Sequence, residues 1–265
     1  MLLSLDTGVS ALEQFQQQIN VIANNIANVN TVGFKQADVN FADTLSETLG
    51  SSSAGSTQIG TGVTTSSITN DFSTPGSLSN QGVSTDLAIS GNGFFVVKDP
   101  VSGTSYVTQD GTFTEDANGY LVTSGRQRLQ GSNGDIQISN AANSSASVTG
   151  FQIGTDGTVT IDMSDGTTNS PGQIMLQNFA NPDQLIKVGG NLYTATAAAG
   201  GLAAAAAPGS SGLGTIESGY LEMSNVDLAG QLTDLISAQR AYEANSKVIT
   251  TSDDILQTLI NLKQG

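Results

Sequence analysis

The sequence contains no cysteine, no histidine and no tryptophan, and its eight basic residues face 23 acidic ones. Without Cys or His there can be no disulfide, no Cys/His zinc site, no His metal ligand, and no Cys–His or Ser–His–Asp nucleophile pair. A formal charge of −15 opposes nucleic-acid binding, which depends on Lys and Arg neutralising phosphates. Anionic membrane surfaces are disfavoured for the same reason. No apolar run reaches the roughly 18 residues a spanning helix needs, so no membrane insertion is expected. The N-terminus lacks the basic region of a secretory signal, so an exported chain would be expected to use a route without a cleaved signal. Weight lies instead in Gly (31 residues), Ser, Thr, Asn and Ala, a β-rich and turn-rich composition, and 265 residues allow one large domain or two modest ones.

Against this background the two chain ends stand out. Leu5, Leu12, Ile19 and Ile26 sit seven apart, and Phe15, Ile22 and Val29 each lie three beyond a member of that series. A repeat of 3.5 predicts a helix over residues 4–28 with a coiled-coil seam, closed by Gly33. Between the seam positions lie the amides Gln14, Gln16, Gln17, Gln18, Asn20, Asn24 and Asn25. They suit either hydrogen bonding inside a packed assembly or a solvated polar face.

Residues 223–264 read as one long helix starting near Ser224 or Asn225, with Asp227 favouring its N-terminal dipole. Leu228, Leu235, Tyr242, Ile249 and Leu256 fall seven apart, with Leu232, Ala238 and Leu259 beside them. So narrow a seam cannot wrap a monomeric core and asks for a partner helix, for which the N-terminal segment is the candidate. The alternative is an intramolecular helical hairpin packed on the β unit. Asn245, Ser246 and Ser252 interrupt the seam and are candidate contacts between neighbouring helix pairs.

The middle reads as β structure. Residues 34–49 are mixed, with Phe41 and Leu45 as anchors; residues 50–57 have linker composition, and 59–68 suggest a strand or extended arm. Short strands are predicted at 87–89, 94–97, 105–108, 112–114, 120–123 and 172–176, with Asn118-Gly119 the strongest hairpin signal and looser patterning over 131–171. Residues 195–214 are low complexity and read as a loop.

None of these stretches carries a chemical motif. No Ser-x-x-Lys stands in a site context. The runs from Asp116 and from Asp162 lack the remaining ligands of a calcium loop and read as β-turns. Residues 209–214 lack the Lys and preceding strand of a phosphate loop, and Asn143-Ser-Ser145 is a chance sequon. No catalytic, cofactor-binding or metal-binding residue is assigned, and no cofactor is expected.

Three stretches together resemble the bacterial flagellar rod and hook protein family. Asn20 to Lys35 is similar to its N-terminal signature; Ser224-Asn-Val-Asp-Leu228 followed by Ala238 to Lys247 resembles its C-terminal one. Asp86 to Phe95, Asp110-Gly-Thr-Phe113 and Gly119-Tyr-Leu-Val122 resemble its central β domain. The resemblance covers residues 1–45, 70–131 and 172–265. It implies an α+β fold: long N- and C-terminal helices pairing as a coiled coil, with a central, mainly antiparallel β domain. Residues 1–33 and 223–265 become the assembly domain, 34–72 an arm, and 73–222 the β domain. Leu5, Leu12, Phe15, Ile19, Ile22, Ile26, Val29, Leu228, Leu235, Tyr242, Asn245, Ile249, Leu256 and Leu259 become its interface. The implied role is a structural subunit, not an enzyme. It polymerises with copies of itself into a hollow tube that transmits torque and passes exported subunits. Implied partners are adjacent rod, hook or junction proteins and the flagellar type III export apparatus. Phe72 onward, Asp86 to Phe95, Leu129-Gln-Gly131 and Asn225 to Leu228 read closer to hook proteins, whereas the short middle does not. The hook reading is preferred, with the distal rod as alternative and a secreted β-rich adhesion module as a further one.

Overall fold

The computed structural model describes residues 2–52, 55–138, 147–200, 205–210 and 212–264. The sequon at Asn143 and residues 201–204 of the low-complexity stretch lie outside them. The chain has an N-terminal helix, a C-terminal helix and a mostly antiparallel β domain between them. It divides into two compact units, one made of Met1–Asn28, Gln36–Asp71 and Val226–Gly265, the other of Val29–Lys35 and Phe72–Asn225.

In the first unit, helix α1 spans Leu2–Ala27 and α2 spans Leu228–Gln264. Gly33 does not close α1, which stops six residues earlier with Asn28 N–H donating to the Asn24 and Asn25 carbonyls. Val29 therefore lies past the helix. Nor does α2 start at Ser224: the Asp227 carboxylate accepts from Ala229 N–H at 3.1 Å, the geometry of an N-cap. Between the helices, Ala37–Asp43 pairs antiparallel with Val63–Asn70, with a bulge at Asn40/Phe41. Beyond that pair, Ser46–Ser52 pairs with Gly55–Gly60, so the stretch whose composition reads as a linker is paired strand. A polar Ser/Thr/Gly run satisfies its backbone as readily in a ladder as in water, and composition alone does not tell the two apart. Leu45 is no anchor, being 90% exposed. Phe41 meets Phe15 edge-on at 6.3 Å between ring centroids.

In the second unit the strand Phe94–Lys98 is central, with Ser105–Thr108 on one side and Arg128–Gly131 on the other. Its residues Phe94 to Val97 are all buried, because layers cover both faces of the sheet. Period-two alternation sends Phe95 and Val97 into a large core with Leu87, Phe113, Leu129, Ile161 and Ile216. Phe94 and Val96 go into a smaller one with Phe179, Leu185 and Tyr193. Burial pushes the Tyr193 phenol far above its ordinary range, so the ring stays neutral there. The loosely patterned region forms a three-stranded antiparallel sheet from Val148–Ile153, Thr158–Met163 and Thr168–Gln173. Asp116 and Asp165 make turns: each accepts a backbone N–H two residues on, at 2.8 and 2.9 Å.

Close backbone approach fixes two glycines. A Cβ on Gly111 would sit 1.6 Å from the Leu87 carbonyl oxygen, and one on Gly76 1.8 Å from that of Met223. Gly111→Ala is therefore expected to destabilise the β unit by about 2 kcal/mol or more, since the intruded atoms are backbone. Gly150→Ala, with nothing within 4 Å of the new carbon, is expected to be neutral. Thermal melting by circular dichroism checks both, and equal midpoints would contradict the packing at Leu87.

Candidate assembly interface

The helices α1 and α2 lie side by side in opposite directions. Near one end a Cβ on Gly8 would be 3.2 Å from Ile249 Cγ1, and near the other Asn25 donates to Gln231 Oε1 at 2.9 Å. The 18 residues from Gly8 to Asn25 thus run alongside the 19 from Ile249 back to Gln231. On that register Leu5, Leu12 and Ile19 are level with Ser252, Asn245 and Ala238. Phe15 and Ile22 are level with Tyr242 and Leu235. Large residues of α1 therefore meet small or polar positions of α2 in alternation with large ones, and the bulk is shared between the helices.

Asn25 joins three segments. Its Nδ2 donates to the Ala37 carbonyl at 2.8 Å and to Gln231 Oε1, while its Oδ1 accepts from Ala37 N–H at 3.0 Å. Asn25 and Gln231 are 1% and 5% exposed. This amide fastens the first residue of the arm to α1 and α1 to α2, and it completes the ladder end that a helix side chain otherwise leaves open. Farther along, the Thr65 hydroxyl lies 2.5 Å from Gln14 Oε1 and 2.9 Å from Gln17 Oε1. Thr7 donates to the Thr61 carbonyl at 3.3 Å. Gly62, at φ +145°, leaves room for the Ser10 hydroxyl, which a Cβ would approach to 2.3 Å. Six of the seven amides of α1 thus divide between two roles. Asn25, Gln14 and Gln17 serve the chain's own arm and α2; Gln16, Asn20 and Asn24 are exposed.

The residues read as interface are distributed unevenly. Ile22 is buried; Leu5, Leu12, Phe15, Ile19, Ile26, Leu235, Tyr242, Asn245, Ile249 and Leu256 are half-buried on the facing sides. Val29 is half-buried but off the helix. Leu228 and Leu259 are exposed at 43% and 47%, as is Leu232 at 44%. The second row of the α2 seam is instead Gln231, Ala238, Asn245 and Ser252, which apolar periodicity cannot reveal because only one of the four is apolar. Ser252 is buried within the chain, so it is not a free contact for a neighbouring pair.

A second polar joint lies in the β unit and has no signature in the sequence. Lys35 Nζ and Glu222 Oε1 are 2.8 Å apart with side chains 2% and 4% exposed. The same oxygen accepts from Gly76 N–H at 2.8 Å, and Lys35 also donates to the Thr74 carbonyl at 3.3 Å. Gly33, at φ +65°, donates its N–H to the Glu222 carbonyl at 2.8 Å and sits where a Cβ would be 2.7 Å from Asp110 N. The segments leading out of α1 and into α2 are therefore fastened together. Buried pairs of this kind contribute more to register than to stability, because desolvation offsets much of their attraction. A lysine next to Phe34 and a glutamate 187 residues away give no spacing signal. Among the described residues no group of acidic side chains is placed to hold a metal. Among them, too, no helix is long and apolar enough to cross a membrane.

Two antiparallel helices with apolar positions left on their outer sides, an arm of paired strands and a turn-rich β unit are the parts of a structural subunit. Comparison with known proteins gives the family. Residues 5–35 match "Flagella basal body rod protein", 88–161 match "Flagellar hook protein FlgE/F/G D1 domain", and 217–262 match "Flagellar basal body rod FlgEFG protein C-terminal". The chain is 46% identical over 273 positions to the flagellar basal-body rod protein FlgG of Bacillus subtilis, with all of both chains covered. It is 40% identical to FlgG of Buchnera aphidicola subsp. Baizongia pistaciae, covering 94% of this chain and 95% of that one. The hook protein FlgE of Brucella abortus is 26% identical over 396 positions, covering 97% and 98%. The chain belongs to the flagellar rod and hook protein family, as a structural component of the flagellar basal body and hook.

Removing the three-way joint is expected to cost more than removing any exposed amide of the same helix. Asn25→Ala leaves Ala37 and Gln231 with buried unpaired groups and is expected to destabilise the helical unit by about 2–3 kcal/mol. Gln16→Ala, whose amide bonds among the described residues only to exposed Asn20, is expected to stay within about 0.5 kcal/mol. Helical ellipticity followed on heating separates them, and equal losses would contradict the joint.

Proposed function

We propose that the chain is a rod-type axial subunit, of the distal-rod class, that polymerises with copies of itself into a hollow helical tube. The observation that carries this reading is length. The match to rod proteins runs end to end over 273 positions at 46% identity, whereas the hook alignment needs 396 positions for a chain of 265 residues. The extra hook positions have no counterpart in this chain. The hook reading shares the same family and the same three matched regions, and it remains the second reading on the motifs at Asp86 to Phe95 and Asn225 to Leu228.

In this proposal residues 1–33 and 223–265 form the assembly domain, with α1 and α2 paired as a coiled coil, 34–72 the arm and 73–222 the central β-rich domain. Leu5, Leu12, Phe15, Ile19, Ile22, Ile26, Val29, Leu228, Leu235, Tyr242, Asn245, Ile249, Leu256 and Leu259 divide into two groups. The buried and half-buried members on α1 and α2 hold the pair together, exposed Leu228 and Leu259 face neighbouring copies, and Val29 lies past the end of α1. Ile255, Ile260 and Leu262, exposed at 52%, 57% and 74%, extend that outward surface, and a row of exposed apolar side chains is what helix–helix association buries. The exposed amides Gln16, Asn20 and Asn24 suit a neutral channel wall past which exported subunits slide. The subunit transmits torque, has no catalytic role, meets adjacent rod, hook or junction proteins, and leaves the cell through the flagellar type III apparatus.

Electron microscopy of polymers formed by the purified chain tests this. Straight tubes are expected; curved tubes would overturn the rod reading in favour of the hook. Removal of residues 249–265 is expected to abolish tubes while the β unit stays folded, and tubes formed by that truncation would contradict the role of the helices.

A further inference from the structure

The β unit contains a cavity of about 490 Å³, within the range of roughly 300–1,000 Å³ that holds small ligands or long side chains. Phe72, Phe94 and Phe179 line one side, stacked edge to face with centroids 5.3 and 5.5 Å apart. Its charged lining is Lys35, Glu222 and Asp183. Lys35 is neutralised by Glu222, which leaves the carboxylate of Asp183, exposed and without a partner among the described residues. Gln109 also lines the cavity and is 6% exposed. Its Nε2 donates to the Gly93 carbonyl at 3.2 Å, and its buried Oε1 has no hydrogen-bond partner among the described residues. A buried acceptor left without a donor is costly, and native structures keep few of them. The cavity therefore calls for a group that donates hydrogen bonds, carries positive charge and presents a flat face to aromatic rings. A guanidinium does all three.

The same unit presents such a group at the other end of its central strand. Arg126 sits at the tip of a turn in which its N–H donates to the Thr123 carbonyl at 2.9 Å and Thr123 N–H donates to the Gln127 carbonyl at 2.9 Å. Its φ of +66° is a left-handed conformation that glycine adopts without steric cost and arginine does not. The side chain is exposed and has no ion-pair partner among the described residues. Phe94 lines the cavity, whereas Lys98 pairs with Arg128, two residues beyond Arg126. Strand rise puts about 13 Å between Phe94 and Lys98, so the arginine and the cavity occupy opposite ends of one strand.

We propose that Arg126 of one copy docks in the Phe72–Phe94–Phe179 cavity of the next, its guanidinium donating to Gln109 Oε1 and pairing with Asp183. The contact joins two different surfaces of the same chain, so it repeats head to tail, closing into a ring or continuing as an open polymer according to the rotation between copies. In a chain of charge −15, it also sets a cation where acidic copies meet. The inference rests on the self-assembly reading and adds to it a specific contact between β units.

Arg126→Gly separates a structural role from an assembly role, because it relieves the turn. It is expected to leave the melting midpoint unchanged or raised while pelletable polymer falls about tenfold. Ser124→Cys combined with Gln184→Cys, two exposed positions beside the contact that leave Arg126 and Asp183 in place, is expected to give a ladder of disulfide-linked oligomers when the full chain is oxidised under assembling conditions. Its yield should be about tenfold that of Val101→Cys combined with Gln184→Cys, Val101 being 94% exposed. If wild-type chains pellet but the two cysteine pairs cross-link equally, or Arg126→Gly pellets like wild type, the docking contact is overturned and self-assembly stands. If wild-type chains never pellet, the self-assembly reading fails and the contact fails with it.

Discussion

Asn25 commits both N–H donors of its amide, and its oxygen as acceptor, to holding α1 against α2 and against the first residue of the arm. The rest of the helical unit depends on that arrangement. The seam is too thin to define its own register: Gly8, Ala238 and Ser252 stand where a stronger pair would carry leucine. A buried amide admits one register, because any slip strands Ala37 and Gln231 without partners. The Lys35–Glu222 pair does the same for the β unit, fastening the stretch after α1 to the strand before α2. Both joints favour uniqueness of alignment over stability.

The thinness of the seam also explains what the helices leave unsatisfied. Half-buried Leu12, Ile19, Ile249 and Leu256 have packed on one side only, and Ile255, Ile260 and Leu262 stay mostly exposed. A helix gains most of its stability from packing rather than from propensity. The far end of α2 therefore depends on neighbours in a way that its first turns, beside Asn25, do not. Such a gradient leaves order at one end to set register and unburied apolar surface at the other for neighbouring copies to cover.

The terminal helices and the meander around Phe94 can be read from the sequence because their signals are local. Sevenfold spacing of Leu and Ile, β-branched runs and Asn118-Gly119 each act within a few residues. The polar joints are not legible. Asn25 looks like one amide among seven in its helix until the arm folds back to meet it, and nothing in the spacing of Lys35 and Glu222 connects them. Apolar periodicity assigns Leu228, Leu232 and Leu259 to the seam, while Gln231 and Ser252, which occupy it, are polar. The Ser/Gly stretch that pairs as strand misleads in the same direction, composition being weak evidence wherever backbone bonding decides the outcome.

Amide hydrogen exchange along α2 of the isolated chain tests the central claim most directly. If Asn25 anchors the pair and the seam weakens away from it, protection is highest from Gln231 to Tyr242 and declines steadily towards Leu262. Equal protection along the whole helix, or stronger protection at its C-terminal end, would contradict the anchoring role of Asn25.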